Sequence, residues 1–125
     1  GLHQTIEVVT RSVDSVLTEF GNPRVDLVKM DIEGSESRAI MGMRKTISLY
    51  HPVIFVELLR NFRAGFLDSF EFLVGEGYEL FECTVDSLRH IEQGTEAFMS
   101  ADSKNFVVAS PTSAGHSLLA QYFDI

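Results

Sequence analysis

The chain has one cysteine, Cys83, and so no internal disulfide. Its start, GLHQT, lacks the basic region and apolar stretch of a signal peptide. Together these point to a reducing compartment, and a cytoplasmic setting is expected. Positive charge is also scarce: 10 Lys and Arg stand against 18 Asp and Glu, a formal net charge of −8. Such a surface repels phosphate backbones and anionic lipid, so neither nucleic acid nor a membrane is expected as a partner. No apolar run is long enough to cross a bilayer, and the longest, around VIFVELL, is strand-sized. Repeats, low-complexity tracts and linkers are missing too, and 125 residues fit one domain around one core.

Several catalytic signatures are absent. There is no G-x-S-x-G elbow, which argues against a serine hydrolase. P-loop and G-x-G-x-x-G fingerprints are lacking, and the glycines of GEGYEL precede a strand, where they cannot cradle phosphate. His3, His51, His90 and His116 show no metal-ligand spacing and read as surface or loop residues. Cys83 has no nearby histidine or base to activate it, so it reads as a buried, inert thiol. Arg60 and Arg63 flank a loop and read as solvated charges in preference to an anion clamp.

What is present is an alternation of strand-like and helix-like periods. IEVVT (6–10) is short and β-branched, hence a strand. Val13, Val16, Leu17 and Phe20 share one helical face, with Ser12 as N-cap, Gly21 past the end and Pro23 barring continuation. VDLVKMD (25–31) is nearly all apolar, as in a strand buried on both faces. A helix is expected over 35–49, then a strand over 53–58 after Pro52. Phe66, Phe70, Leu73 and Val74 mark another helix, followed by a strand at 78–83. Residues 85–94 fit either a short helix or a hairpin arm. NFVVA (105–109) is a strand, and Leu118, Leu119, Tyr122 and Phe123 form the apolar face of a closing helix. This order predicts an α/β fold with a mostly parallel sheet, whose ligand crevice lies at the carboxyl ends of the strands.

Three acids fall at those ends. Asp31 and Glu33 close the second expected strand and Glu57 the third. A carboxylate leaving a buried strand needs a partner, a hydrogen bond or a wet crevice. Asp31 therefore either orients a ligand or takes a proton, or else it caps the next helix. Glu33 is a second acid or a metal ligand. Glu57, the lone charge of its strand, either faces the crevice or merely reaches solvent. Glu36 reads as a first-turn acid of the following helix, and Gly34 as a turn glycine.

The stretch from Val25 to Leu58 resembles the C-terminal signature of FkbM-type methyltransferases. Asp26, Leu27, Val28, Lys29, Met30, Asp31, Ile32, Glu33, Gly34 and Glu36 match its central motif in order, and Gly42, Pro52 and Glu57 fall in their places. Ser12, Val13 and Asp14 are similar to the family's upstream helix start, and SKNFVVASP to its closing strand. The resemblance implies a Rossmann-like sheet and S-adenosylmethionine-dependent O-methyl transfer to a sugar or natural-product hydroxyl. It places Asp31 where methyl group and acceptor meet, as the acid–base or orienting residue, with Glu33 and Glu57 lining the pocket.

The family's glycine-rich donor turn has no counterpart here. The chain is therefore expected to correspond to the C-terminal half of the fold and to hold the donor weakly alone. Residues 25–31 are then expected to form an exposed edge, inviting a homodimer or a strand-exchanged pair. Two other readings stay open. DLVKMDIEG is similar to the phospho-acceptor strand of a receiver domain, although Arg11 stands where an acidic pair belongs and Asn105 follows Lys104 where proline is usual. A non-catalytic interaction domain would keep the fold without the chemistry.

Overall fold

The computed structural model describes residues 3–92 and 96–125. Helix α1 (Val13–Glu19) begins where the sequence says: Ser12 is extended, and its hydroxyl accepts a hydrogen bond from the Ser15 N–H. It ends in Gly21, whose φ of 80° is left-handed. Strand β1 (Leu27–Met30) follows, and then two helices, α2 (Glu36–Met41) and α3 (Arg44–Tyr50), in place of the single one expected. The break falls at Gly42 and Met43, where the Gly42 carbonyl turns out to accept from the Asp14 N–H at 3.0 Å. Strand β2 (Val53–Glu57), a 3₁₀ turn (Arg60–Phe62) and helix α4 (Arg63–Gly75) come next. Strands β3 (Glu79–Cys83) and β4 (Leu88–Ile91) make a hairpin around the Thr84–Ser87 turn, which decides for a hairpin arm at the start of the ambiguous segment. The end of that segment lies outside the described residues. Helix α5 (Glu96–Ser100), strand β5 (Asn105–Ala109) and helix α6 (His116–Tyr122) complete the order.

Among the described residues five strands form one sheet, in the order β1-β2-β5-β3-β4. Only β1 and β2 pair in parallel; β2–β5, β5–β3 and β3–β4 are antiparallel. The expected mostly parallel sheet is therefore corrected. Strand β5 inserts between β2 and β3 and runs against both, so β1, β2 and β3 still point the same way. Their carboxyl ends share one rim. A helix between successive strands signals a crossover, but periodicity carries no sign of a strand that returns to split two others.

IEVVT forms no strand. Residues 3–12 make neither helix nor strand, and Ile6, Val8 and Val9 are 78%, 73% and 89% exposed. β-branched residues favour a strand only when a neighbouring strand supplies hydrogen bonds and packing, and this segment has none beside it.

The alternation along the strands separates two clusters. Met30, Ile54, Val56, Leu80, Phe106 and Val108 pack with residues of α2, α3, α4 and α5. Val53, Phe81, Val107 and Ala109 face the other way, against Leu119 and Phe123 of the α6 region. This second face is only partly covered: Phe55 is 37% exposed and Leu27 64%. The strand at 25–31 is thus not buried on both faces as its composition suggests.

Asp14 joins α1 to the rest. Its carboxylate accepts hydrogen bonds from the Lys45 N–H (2.8 Å), the Thr46 N–H (3.0 Å) and the Thr46 hydroxyl (2.7 Å). It caps the start of α3 from 31 residues upstream. Burial, the largest single influence, pushes this carboxyl up. The Thr46 hydroxyl, the two backbone N–H groups and the Lys45 charge together outweigh it and hold the pKa below its ordinary value of 3.8. Asp14→Ala is expected to cost about 1 kcal/mol, as for the loss of a helix cap. Because the folded pKa is depressed, the contribution is complete above the unfolded value and fades as pH falls through the folded one. Urea midpoints at pH 7 and near pH 3 should show the gap between native chain and variant shrinking in acid.

Candidate functional site

The rim acids sit on adjacent strand ends. The parallel register runs from Leu27 beside Val53 to Met30 beside Val56, so the next step brings Asp31 level with Glu57. Glu57 is half-buried and closes β2, opposite Asn105 of β5. Asp31 is exposed, and among the described residues it has no hydrogen bond or ion pair. It does not cap α2; Ser35 holds the N-cap position. Of the two sequence readings of Asp31, the cap is removed.

Glu33 and Gly34 turn the chain from β1 into α2. Both are left-handed, at φ 46° and 105°, and for a residue with a side chain such as Glu33 that is uncommon. The turn is closed by Glu36, whose Oε2 accepts from the Gly34 N–H at 2.8 Å. Glu36 lies in the first turn of α2 as expected, but it is also 2% exposed, and its Oε1 has no partner among the described residues. Its burial was not visible in sequence, where it reads as a solvated first-turn acid. The ring of Phe62, from the loop after β2, comes within 2.9 Å of where a Cβ on Gly34 would stand. The two rim loops after β1 and β2 therefore pack directly on each other.

A cleft of about 670 Å³ opens beside this turn, between residues 10–13 and α2, and Ile32 contributes to its wall. Asp31, Glu33 and Glu57 do not line it. The structure thus brings Asp31 and Glu57 together at the rim and leaves Glu33 exposed on the turn. Among the described residues no group of three His, Cys, Asp or Glu side chains is placed to hold a metal ion.

Arg63 overturns its sequence reading as a solvated charge. It is fully buried and donates to the carbonyls of Leu58 (3.3 Å), Phe98 (3.0 Å), Met99 (3.1 Å), Ala101 (2.8 Å) and Ser103 (2.8 Å). Its guanidinium also lies 5.2 Å from the Phe106 ring centre. Burial, then the Arg60 charge, lowers its pKa from the ordinary arginine value, against Glu82 and Asp102. Arg60 itself is exposed and pairs with Asp102 at 3.3 Å. Cys83 is half-buried, and burial followed by the Glu82 charge pushes its thiol up to about 11, so it stays protonated and unreactive. His51 and His90 lie beside single acids, Glu76 (3.3 Å) and Glu79 (3.1 Å), as isolated pairs.

The D-I-E-G-S-E turn at a strand end is the motif on which the resemblance rests, and a family model for the methyltransferase FkbM domain matches residues 2–82. The chain belongs to that family. The match covers α1, both parallel strands and the rim acids, and it stops at Glu82 within β3. The remaining hairpin arm, β5 and α6 lie beyond the matched FkbM region, as does SKNFVVASP. No curated protein and no solved structure matches the chain. Among the described residues no helix is long and apolar enough to cross a membrane. A receiver-like sheet, all parallel in the order 2-1-3-4-5, is not what these strands form.

Proposed function

We propose that this FkbM domain serves S-adenosylmethionine-dependent transfer of a methyl group to a hydroxyl of a small molecule such as a sugar or natural product. The observation that carries the reading is the level placement of Asp31 and Glu57 on adjacent strand ends inside the family-matched region. Two carboxylates suit a positively charged sulfonium and a hydroxyl donor, so the side chains present fit the reacting end of the donor. When bound, the donor supplies an electrophilic methyl carbon on a sulfur that leaves as a neutral thioether. Asp31 accepts the hydrogen bond of the acceptor hydroxyl and takes its proton as the new O–C bond forms. Glu57 holds the acceptor in line, and Glu33, on its left-handed turn, borders the acceptor side. The chain carries no glycine-rich turn between strand and helix, so weak donor binding by this chain alone belongs to the same reading, as does a cytoplasmic setting.

Calorimetry with S-adenosylmethionine tests the proposal, on this chain and on any longer polypeptide that contains it. Heat of binding from either supports donor use. No heat from either would favour a non-catalytic interaction domain.

A second copy of the chain is the partner we propose. Strand β1 is an edge of the sheet, with Leu27 exposed and its outer backbone groups unpaired by any strand among the described residues. Residues 6–10 form no strand within the chain, and their Ile6, Val8 and Val9 are exposed, β-branched side chains that a strand from a second copy would suit. Glu7 is their one charge and Lys29 is that of β1, so pairing the two segments between copies joins opposite signs. Light scattering at rising concentration should report a dimer, and Val8→Lys should shift it toward monomer. A monodisperse monomer at high concentration would remove this partner.

A further inference from the structure

The cleft beside α2 has a chemistry of its own. In a chain with 18 acids and 10 bases, its lining includes two arginines, Arg11 and Arg38, and no acid. Three hydroxyl residues, Thr10, Ser12 and Ser35, share the wall. Arg11 is already committed, with Nη1 at 2.9 Å from Glu19 and Nη2 donating to the Ser15 carbonyl and hydroxyl. Arg38 has no hydrogen bond or ion pair among the described residues, and neither has the Ser35 hydroxyl.

The walls are fixed in relation to each other. Asp14 binds the start of α1 to the start of α3 through three hydrogen bonds, and its own N–H donates to the Gly42 carbonyl. Gly42 lies so near Ser12 that an added Cβ would stand 3.3 Å from the serine Cβ. The cleft is therefore held open by built contacts, and at its rim end it shares Ile32 with the turn after Asp31.

We propose that this cleft binds an anionic group, a carboxylate or a phosphate, of a small molecule positioned for the methyl-transfer site, with Arg38 as its cation and Ser35 as a hydroxyl donor. The assignment rests on the methyl-transfer reading for the identity of that molecule, not for the existence of the anion site. An anion here meets the one guanidinium of the lining that lacks a protein partner, in a wall free of competing carboxylates. Two sources carry the same chemistry: the amino-acid carboxylate of the methyl donor, or an acid group on the acceptor.

The test follows the backbone N–H signals of Ser35 and Ala39, which line the cleft and remain in an Arg38 variant, by NMR while the chain is titrated with inorganic phosphate, then with S-adenosylhomocysteine, then with methylthioadenosine, which lacks the carboxylate. Phosphate should give a saturable shift that weakens with salt and loses about tenfold or more in affinity in Arg38→Gln. Displacement by S-adenosylhomocysteine but not by methylthioadenosine assigns the site to the donor carboxylate; phosphate binding without such displacement assigns it to an acid on the acceptor. No saturable shift with phosphate or S-adenosylhomocysteine, or equal affinity in Arg38→Gln, overturns the proposal. Donor heat without any saturable phosphate shift in the cleft would sink the cleft and spare the methyl-transfer reading. Phosphate bound at Arg38 with no donor heat from any form would do the reverse.

Discussion

Replacing Arg63 with methionine is expected to destabilise the fold by about 3–5 kcal/mol, as several buried carbonyls lose a charged donor at about 1–3 kcal/mol for each left unsatisfied. Methionine keeps much of the length and apolar contact of the stem, so the loss isolates the guanidinium. Five carbonyls, of Leu58, Phe98, Met99, Ala101 and Ser103, would lose their donor in a region with little access to water. Arg63→Lys should recover little of this, because an ammonium has three donors at one point and cannot span carbonyls on both sides of a planar fork. Urea unfolding followed by circular dichroism measures the effect; a midpoint within error of the native chain would show that the network is incidental. The ranking also separates two explanations. If Lys is nearly as good as Arg, charge is what matters there, and if Met and Lys are equally poor, geometry is.

Asp31→Asn should leave stability within about 0.5 kcal/mol of the native chain, since the side chain is exposed and has no partner among the described residues. Methyl transfer, measured as label moved from S-adenosylmethionine to a hydroxyl acceptor in a polypeptide that binds the donor, should fall by about 10²–10⁴-fold. Asparagine can still accept a hydrogen bond but cannot take the proton, so kcat falls more than KM rises. Glu57→Gln should show the opposite split, raising KM for the acceptor with a smaller change in kcat. An Asp31→Asn variant with native kcat would remove the residue from proton transfer.

Much of the architecture was legible because local signals and long-range packing agree. The face of Val13, Val16, Leu17 and Phe20, the cap at Ser12 and the stop at Gly21 all belong to one short helix, and that helix is there. The apolar runs at β1, β2, β3 and β5 also appear where the sequence puts them. What was illegible depends on partners far along the chain. Nothing near Arg63 indicates that four of its five acceptors lie 35–40 residues downstream, so a lone arginine after a loop reads as solvated. Asp14 stands out in the sequence only within the helix start that resembles the family's, because Lys45 and Thr46 are out of sight. The split between α2 and α3 has the same origin: Gly42 is tolerable inside a helix, and it is the close approach of Ser12 and Asp14 that settles the break. Strand-end position was enough to foresee that Asp31 and Glu57 lie level at the rim, whereas the cleft with Arg38 depends on how α1 docks.

The loops at the shared rim are unequal in how they are held. Phe62 packs on Gly34, and Arg63 ties the loop after β2 to residues 98–103, so a length change in any of these would disturb the others. The turn between β3 and β4 is held mainly by its own Thr84–Ser87 hydrogen bonds, and Val85 at its tip is fully exposed. New residues can therefore be accepted there without altering the acids or the core. Such a fold can diverge at one corner while the opposite corner stays fixed, and libraries of insertions at 85–86 would be the natural place to graft a different specificity.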